Sequence, residues 1–599
     1  MTVPEKLKAL RALMKNDRID AYLIPTDDYH SCEYVGEYFK CREWISGFTG
    51  SAGTVVVTEN FAGLWTDGRY FLQAARQLEG TGIELMKIGE SGVPTIPEYL
   101  AGALKNGARI GFDGRTVTSA YVHMLWKELK GKEVRLKRNM DLIGDLWKDR
   151  PPLSKEPVWE LAPVYAGQER TEKIRLVRKE MAAKGADYFL LSSLDDIAWL
   201  LNIRGNDVAY CPLVLAYLLV SQAHVRLFTQ EDAFPADLRR KLEVDGVTLL
   251  PYENIYDYVK ILPVTRSIYF DPTCTNYCLE AGLSSEMKTI KGQNLTLLPK
   301  ALKNPVETAN IRKAHIKDGV ALTRFIYWVK KAVREGQAVT EISAAEKLEQ
   351  FRREGKNYLG QSFAPIMAYG PHGAIIHYSA TPETDAPLQP KGMLLADTGG
   401  HYFEGTTDVT RTIVLGEITD KEREFYTRVL KGHLSLGSAI FQEGCSGLNL
   451  DYLAREPLWE IGEDYNHGTG HGVGYLLNVH EGPNDIRWRK RPGGREPAVF
   501  GEGMVTSDEP GYYLEGEFGV RLENLMVCVK KEKKPCGQFL GFDMLTMVPF
   551  DPEAIDAALL TTREKELLNR YHAKVREKIG PHLEGEEKAW LEEVTKAIE

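Results

Sequence analysis

The chain has 599 residues, of which 43% are hydrophobic and 27% charged, and its net charge is −9 at neutral pH. The length predicts three or four domains, and the composition is ordinary for globular domains in water. The negative charge excludes nucleic-acid binders that rely on overall positive charge. The longest apolar run, residues 212–220, is too short to cross a bilayer, so we expect no membrane insertion.

The N-terminal residues and the cysteines both favour a cytoplasmic protein. Residues 1–25 lack the uninterrupted apolar core and the small-residue cleavage site of a secretory signal peptide. The eight cysteines show no CxxC spacing, so we expect neither a disulfide framework nor a zinc ribbon.

Residues 1–157 are expected to form a first α/β domain. Residues 5–16 have the spacing of an amphipathic helix, and residues 21–25, AYLIP, have the pattern of a buried strand. TVVVT at residues 54–58 predicts another strand, and residues 64–78 predict a strand, a tight turn and a helix. Strands that alternate with helices indicate an α/β layer fold.

Residues 158–305 repeat the opening of the first region. RALMKNDRIDAYLI, which starts at Arg11, resembles RKEMAAKGADYFLL, which starts 167 residues later at Arg178. The matched identities are Arg11 with Arg178, Met14 with Met181, and Asp20 with Asp187. We therefore predict two domains of similar α/β fold in tandem, followed by a linker at residues 298–305.

Residues 306–552 are expected to form a third domain, which opens with a long helical pattern at residues 311–333. Within residues 392–414, two segments rich in aliphatic and β-branched residues flank a Gly-Gly pair, which predicts a β-hairpin with a wide loop. Asp397 ends the first predicted strand and Asp408 begins the second.

A tail is expected at residues 553–599. Its two charged amphipathic segments, residues 562–579 and 585–598, predict helices packed on the body of the protein.

Further polar side chains follow the hairpin. NHGTGHGVG holds His467 and His471 among glycines, and MVTSDEPGYY places Glu509 before a Pro-Gly turn. The glycines make a poor helix, and the HExxH pattern is absent, so a helical zincin site is excluded. FGVRLENLMVCV is predicted to be one strand, on which Arg521 and Glu523 point to the same face.

The candidate metal ligands are four carboxylates and one imidazole: Asp397, Asp408, His471, Glu509 and Glu523. The four carboxylates carry four negative charges, and in one pocket they would repel and take up protons. Two divalent cations would neutralise the set, and bridging carboxylates would hold them roughly 3.5 Å apart. Ligation by oxygens with one imidazole favours manganese, with cobalt or zinc as substitutes.

The order Asp, Asp, His, Glu, Glu, within DTGGHYFEGTTDVTRT, HGTGHGVG, SDEPGYY and RLENL, resembles the pita-bread metallopeptidases. SGFTGSAGT, WTDGRYFLQAA, SSLDDIAWLLNIRGNDV and SFAPIMAYGPHGAIIHYSA are similar to the three-domain aminopeptidases P of that family. The resemblance covers nearly the whole chain to about Pro552. It implies an α/β (α+β) architecture, in which two tandem creatinase-like N-terminal α/β domains are followed by a pita-bread catalytic domain.

The resemblance also implies roles for the metal ligands. Two divalent ions, in the first place Mn²⁺, would be held by Asp397, Asp408, His471, Glu509 and Glu523. Asp408 and Glu523 would bridge the two ions. Glu509 would in addition take the proton from the bridging water.

Four further residues match positions of that family near the substrate. His377, His467 and His480 correspond to its three substrate-side histidines, one of which would donate to the scissile carbonyl oxygen. Arg521 corresponds to an arginine that would hold a ligand carboxylate in place.

The implied activity is hydrolysis of the N-terminal Xaa-Pro peptide bond by a hydroxide that bridges the two metal ions. The expected partners are peptides with proline at the second position and, in a homodimer, a second copy of the chain. The sequence displays no proline pocket, so this specificity comes from the resemblance alone.

Two alternatives remain open. A prolidase (Xaa-Pro dipeptidase) also resembles the third region but normally has one N-terminal domain instead of two. A non-catalytic binding protein could keep the pita-bread fold, but it would have no need of four converging carboxylates. Methionine aminopeptidase is disfavoured by the chain length, and the metal-free creatinase is disfavoured by the ligand set.

Overall fold

The computed structural model describes residues 1–490 and 496–599, which form two compact units. One unit comprises residues 1–162 and 168–297, and the other comprises residues 163–167 and 298–599. In the described part of the chain, no helix is both long and apolar enough to cross a membrane.

The first α/β domain is built on a six-stranded sheet. In spatial order its strands are Glu84–Lys87, Ala62–Thr66, Thr54–Thr58, Ala21–Pro25, Arg109–Gly111 and Arg135–Lys137. Its longer helices are Val3–Asn16, Phe71–Gln77, Ile96–Ala103 and Ser119–Glu128. The first helix begins at a capping box, in which Thr2 and Glu5 each accept a backbone hydrogen bond from the other.

The second α/β domain has a six-stranded sheet with the same order of strands. These are Val247–Pro251, Val225–Thr229, Ala216–Ser221, Tyr188–Leu191, Ser267–Phe270 and Lys288–Lys291. Its longer helices are Arg170–Ala183, Leu194–Leu201 and Ala236–Val244. Strand directions also agree: in both sheets the first strand along the chain runs antiparallel to one neighbour and parallel to the other.

The arginines matched between the two domains make equivalent contacts. Arg11 Nε donates to the carbonyl of Thr58 at 3.0 Å, at the end of one strand. Arg178 Nε donates to the carbonyl of Ser221 at 2.9 Å, at the end of the corresponding strand. In each domain the guanidinium therefore ties a helix to the same strand of the sheet.

The matched aspartates are equivalent in the same way. Asp20 accepts from the backbone N–H of Arg109 at 2.7 Å, and Asp187 accepts from that of Ser267 at 2.8 Å. Arg109 and Ser267 begin corresponding strands. The predicted tandem of two similar α/β folds is confirmed.

The second unit contains the long helix Pro305–Arg334, which starts at a capping box formed by Asn304 and Glu307. Its apolar face packs on the strands Met393–Thr398 and Val409–Val414 in a common hydrophobic cluster. The predicted helix and hairpin are therefore both present and in contact.

Small antiparallel sheets and several further helices complete this unit. One sheet has the order Ile366–Tyr369, Met393–Thr398, Val409–Val414, and another Ile440–Gln442, Gly537–Met544, Asn524–Lys534, Val505–Asp508. Shorter strands are Tyr358–Gln361, Gly400–Tyr402, Gly405–Thr406, Gly470–His471, Asp485–Ile486, Gly511–Leu514 and Phe518–Arg521. The helices include Glu341–Arg353, Asp420–Gly437, Tyr452–Trp459 and Thr562–Ile579.

Residues 518–529 form two strands, so the prediction of one strand was wrong. Phe518–Arg521 belongs to a two-stranded hairpin, whereas Asn524–Lys534 belongs to the four-stranded sheet. Glu523 lies between the two strands, and its backbone N–H donates to the carbonyl of Thr410 at 3.1 Å. The chain changes sheets at this point, so alternation along one strand does not describe the direction of the Glu523 side chain.

The division between the two units falls between residues 297 and 298, at the start of the predicted linker, and residues 298–305 are a packed segment. They begin in the short helix Leu297–Ala301. The side chains of Lys300 and Lys303 are each 2% exposed, and both reach the buried carboxylate of Glu481. Lys303 forms an ion pair with it, and Lys300 Nζ lies 3.9 Å from its Oε2. Both lysines are therefore buried cations that need this counter-charge.

The tail forms the helices Thr562–Ile579 and Gly585–Val594, close to the predicted bounds. Leu568 and Val575 lie in one hydrophobic cluster with residues of the helix Asp420–Gly437. The tail is thus part of the core of the second unit.

We expect Lys303→Met to lower the free energy of unfolding of the second unit by about 3 kcal/mol, because it removes the ion-pair partner of a buried carboxylate. Urea unfolding followed by tryptophan fluorescence measures this effect. The matched control is Lys530→Met, since Lys530 pairs with Glu502 at 2.9 Å while both side chains are more than half exposed. Lys530→Met is expected to change the free energy of unfolding little. Equal urea midpoints for the two variants would contradict the prediction.

Candidate metal centre

The hairpin at residues 392–414 directs the side chains of both aspartates towards the interior of the protein. The strands Met393–Thr398 and Val409–Val414 pair antiparallel, with Asp397 opposite Thr410. Asp397 is 8% exposed and Asp408 is 4% exposed. Neither carboxylate faces bulk water, so each needs a nearby compensating charge.

His471 enters the site from the short strand Gly470–His471. Its Nδ1 lies 3.0 Å from the carbonyl oxygen of Gly472, so we assign the ring proton to Nδ1. Its Nε2 lies 3.4 Å from Asp408 Oδ2 and 3.6 Å from Glu509 Oε1. A histidine whose Nδ1–H is held by a carbonyl presents Nε2 as a metal ligand.

The donor atoms at this site fit a divalent cation. Asp408, His471 and Glu523 each offer one atom within 4.8 Å of the others. Asp397 Oδ1 and Glu523 Oε1 are buried and accept no hydrogen bond from the described residues. Buried acceptors in this state are costly unless a cation binds them. Oxygens with one imidazole suit a hard or borderline ion.

The electrostatics of the cluster agree with this fit. Burial raises the pKa values of Asp397, Glu509 and Glu523 above those of ordinary carboxyls, and the nearby carboxylate of Asp408 adds to the rise. The positive charge of Arg521 opposes the rise at Asp397 and Glu509. Burial alone would lower the pKa of His471, but the hydrogen bond with Asp408 and the charge of Glu509 raise it to about 9. The raised pKa values favour protonation of the metal-free cluster, so binding of a metal ion would be coupled to release of protons.

Arg521 connects the carboxylates to an aromatic hydroxyl and a histidine. Its Nη2 donates to Asp397 Oδ2 at 2.6 Å, and its Nη1 donates to the Tyr513 hydroxyl at 2.8 Å. Tyr513 Oη lies 2.8 Å from His467 Nε2, and His467 Nδ1 lies 2.8 Å from the carbonyl oxygen of Gly468. Since the carbonyl of Gly468 can only accept, Nδ1–H donates to it, and Nε2 of the neutral ring then accepts from the Tyr513 hydroxyl.

His467 is therefore a neutral ring with both nitrogens engaged. Its burial, together with the positive charge of Arg521, lowers its pKa to about 3. In this arrangement the ring orients Tyr513. The sequence analysis did not single out Tyr513, because no motif or spacing marks a tyrosine that bridges two site residues.

The other two predicted histidines lie at the edge of the cluster. The His480 ring centroid is 4.3 Å from that of His471, in an edge-on arrangement. His377 is half-buried and follows Ile376, whose carbonyl oxygen lies 3.4 Å from Arg521 Nη2. The structure thus brings the predicted ligands together with Arg521, His467 and His480, and it places His377 beside a residue that contacts Arg521.

Two hydroxyl side chains at the site were also missed in the sequence. Thr410 Oγ1 donates to Glu523 Oε2 at 2.8 Å, and Ser507 Oγ lies 3.3 Å from Glu509 Oε1. Thr410 follows Asp408 by two positions and Ser507 precedes Glu509 by two. The strand period of two residues places such neighbours on the same face, and this could have identified both.

Comparison with known proteins identifies the family. The model of metallopeptidase family M24 matches residues 309–530, and that of the C-terminal region of peptidase M24 matches residues 538–598. Two models of the creatinase/prolidase N-terminal domain match residues 6–140 and 149–307. A probable Xaa-Pro aminopeptidase P of Tuber melanosporum is 39% identical over 625 residues, which cover 99% of each chain. The chain belongs to metallopeptidase family M24.

Solved structures agree with the M24 assignment. The X-prolyl aminopeptidase of Caenorhabditis elegans, described as a cytosolic enzyme with a di-nuclear active site, aligns with a TM-score of 0.95 at 35% identity and 100% coverage of both chains. The Xaa-Pro dipeptidase of Bacillus anthracis aligns with a TM-score of 0.51 at 23% identity over 64% of this chain, which shows the shared fold alone. As an M24 protein with two creatinase-like domains and a pita-bread domain, the chain is a metal-dependent aminopeptidase, and the predicted fold class is confirmed.

We expect Glu523→Gln to abolish the thermal stabilisation by Mn²⁺ without destabilising the metal-free protein. The raised pKa of Glu523 favours its neutral acid in the metal-free state, and the amide resembles that acid. Binding of metal, in contrast, needs the negative charge. For the wild-type protein, manganese at 100 times its dissociation constant should add about 3 kcal/mol, a rise of several degrees in melting temperature.

Melting curves in EDTA and in manganese chloride make this comparison, with Glu515→Gln as the control because Glu515 is exposed. A Glu523→Gln protein that gains as much stability from manganese as the wild type would contradict the assignment.

Proposed function

We propose that the chain is an Xaa-Pro aminopeptidase, which releases the N-terminal residue from peptides with proline at the second position. The observation that carries this proposal is the convergence of Asp408, His471 and Glu523 in a chain 39% identical over its length to a probable Xaa-Pro aminopeptidase P. The alternative of a prolidase has less support, since the Bacillus anthracis dipeptidase matches 64% of the chain and the Caenorhabditis elegans enzyme matches all of it.

The proposed cofactor is a pair of divalent ions, held by Asp397, Asp408, His471, Glu509 and Glu523. The di-nuclear site of the Caenorhabditis elegans enzyme supports the number of ions. Four carboxylates with one imidazole favour manganese, with cobalt or zinc as substitutes. When bound, such a pair supplies Lewis acidity and makes water a nucleophile near neutral pH.

The side chains around the site suit the steps of peptide hydrolysis. Asp408 and Glu523 are proposed to be shared between the two ions, and the hydroxyl of Thr410 holds one oxygen of Glu523 in place. Glu509 is proposed to accept a proton from the attacking water, a role that its burial and raised pKa favour. Arg521 fixes the orientation of Asp397 through its 2.6 Å hydrogen bond.

The histidines are proposed to act on the substrate side. An N–H aimed at the scissile carbonyl oxygen stabilises the negative charge that develops there during attack. His467 is not the proposed donor, because both of its nitrogens are engaged by Tyr513 and Gly468. His467 then acts through Tyr513 as a positioning residue.

A dedicated enzyme for Xaa-Pro bonds has a chemical reason. The nitrogen of such a bond is tertiary and carries no hydrogen, and the pyrrolidine ring restricts the backbone on both sides. A peptidase that binds its substrates through that N–H, in an ordinary extended conformation, therefore handles the bond poorly.

We further propose the segments 1–157, 158–305, 306–552 and 553–599 as N-terminal creatinase-like domains I and II, catalytic domain and C-terminal tail. The family models match four ranges in the same order. A cytoplasmic location is supported by the description of the Caenorhabditis elegans enzyme as cytosolic. It is also consistent with the lack of a disulfide among the described cysteines.

A homodimer is proposed as well, and an exposed aromatic patch supports it. Tyr452, Trp459 and Trp488 are 51%, 36% and 38% exposed. The ring centroids of Tyr452 and Trp459 are 5.9 Å apart, and those of Trp459 and Trp488 are 5.6 Å apart. Clustered exposed aromatic rings are typical of protein interfaces. Light scattering should show a dimeric mass for the wild type and a monomeric mass for Trp459→Asp, and a dimeric variant would exclude this face.

The test of the activity uses metal-stripped protein with and without manganese and three peptides: Arg-Pro-Pro, Ala-Pro and Leu-Gly-Gly. We expect manganese-dependent release of arginine from Arg-Pro-Pro, while Leu-Gly-Gly remains intact. Cleavage of Ala-Pro alone would indicate a prolidase. No cleavage of any peptide, with two bound ions verified, would contradict the proposed substrate class.

A further inference from the structure

Arg411 is a buried cation directly behind the metal centre. It lies on the strand Val409–Val414 and is 1% exposed. Its neighbour Thr410 donates to Glu523, so strand alternation directs the guanidinium to the opposite face. The ring of Phe550 covers the guanidinium carbon at 4.2 Å from the ring centroid.

The five N–H groups of the Arg411 guanidinium donate to six acceptors at 2.7 to 3.1 Å, and the three acceptors around Nη2 share its two hydrogens. The acceptors are the carbonyls of Thr410, Glu523, Val548 and Pro549, the Asn524 side-chain oxygen and the Tyr571 hydroxyl. This one side chain therefore connects the hairpin, the segment around Glu523, the segment 548–549 and the C-terminal tail. Arginine suits such a position because its donors form a rigid planar fork.

The bonds of Arg411 hold the backbone on both sides of a proposed bridging ligand. Nη1 donates to the carbonyl of Glu523 at 2.7 Å and to that of Thr410 at 2.8 Å. The backbone N–H of Glu523 donates to the carbonyl of Thr410 at 3.1 Å, and Thr410 Oγ1 donates to Glu523 Oε2 at 2.8 Å. A shift of the guanidinium would therefore move the carboxylate of Glu523.

Tyr571 holds the other side of the guanidinium. It lies on the tail helix Thr562–Ile579 and is 8% exposed. Its hydroxyl accepts from Arg411 Nη2 at 3.0 Å and from the backbone N–H of Val548 at 3.3 Å. Its single proton has an acceptor in the carbonyl of Val548 at 2.8 Å. With two bonds accepted and one donated, the hydroxyl is fully used.

We propose that Tyr571 is a positioning residue of the metal centre, acting through Arg411 on Glu523, so that the C-terminal tail is part of the catalytic apparatus. The inference rests on the proposed function for the existence of the metal pair. A side chain that orients a ligand from behind changes metal affinity and turnover, whereas a tail that only covers apolar surface changes stability.

The test compares Tyr571→Phe with Tyr426→Phe in the full-length chain. Each variant removes one hydroxyl from a buried tyrosine of the second unit. The Tyr426 hydroxyl is a fair control, because it accepts from the backbone N–H of Asp551 at 3.0 Å and makes no described hydrogen bond to Arg411, Thr410 or Glu523. Both variants are expected to lose thermal stability, and Tyr571→Phe is expected to lose more because its hydroxyl has more partners.

Calorimetric titration of the metal-free proteins with manganese is the first readout, and kcat and KM for Arg-Pro-Pro are the second. Tyr571→Phe should weaken manganese binding about tenfold, as loss of outer hydrogen bonds at metal sites commonly does, and should lower kcat more than it raises KM. Tyr426→Phe should leave these values at the wild-type level. Equal manganese affinity and equal kcat in the two variants would overturn the proposal.

A second variant, Arg411→Lys, keeps the charge but loses the fork that spans Glu523 and Tyr571. It is expected to reproduce the loss of manganese affinity, and wild-type affinity would again count against the proposal. Failure of the proposed function has a different signature. A wild-type protein that binds two manganese ions without cleaving Arg-Pro-Pro would exclude the substrate class, and the affinities would still decide the role of Tyr571. A wild-type protein that binds no manganese would overturn both.

Discussion

Four carboxylates and one imidazole share a buried pocket, and this costly concentration of charge is the constraint around which the second unit is arranged. Coulomb repulsion at such distances is strong where water is excluded. Burial is the main cause of the raised pKa values of Asp397, Glu509 and Glu523, and repulsion from Asp408 adds to it. A fold retains such a cluster when a bound cation offsets the cost, and a metallopeptidase needs that cation for its chemistry.

Buried cations and hydroxyls around the cluster hold it in shape. Arg521 fixes Asp397 and, through Tyr513, the ring of His467. Arg411 holds the backbone of Glu523 from behind. The ion pair of Lys303 with Glu481 lies one residue from His480, so it also supports the edge of the site. Arg521 and Arg411 each contact several partners, which limits the freedom of the ligands before a metal binds.

Local patterns in the sequence predicted a large part of this structure. The hairpin that carries Asp397 and Asp408 follows from strand alternation around a Gly-Gly pair, and the tail helices follow from their apolar spacing. The repeat of Arg11 and Asp20 was faint as sequence, but it marks two contacts that recur in both α/β domains.

The remainder depended on contacts between distant parts of the chain. Lys303 looked like a linker residue because its partner Glu481 is 178 positions away. Arg411 and Tyr571 are separated by 160 positions, and no local pattern relates them. The break between two strands at Glu523 was missed because the alternating pattern of residues 518–529 does not show it. At this point the backbone N–H of Glu523 bonds to the carbonyl of Thr410, which lies on another strand. Tertiary partners, which periodicity does not describe, decided each of these cases.

Anomalous X-ray diffraction at the manganese edge, from crystals of the manganese-loaded protein, tests the central claim most directly. We expect two anomalous peaks roughly 3.5 Å apart, surrounded by Asp397, Asp408, His471, Glu509 and Glu523, with Asp408 and Glu523 contacting both. A single peak, or peaks ligated by other residues, would contradict a dinuclear centre built from this cluster.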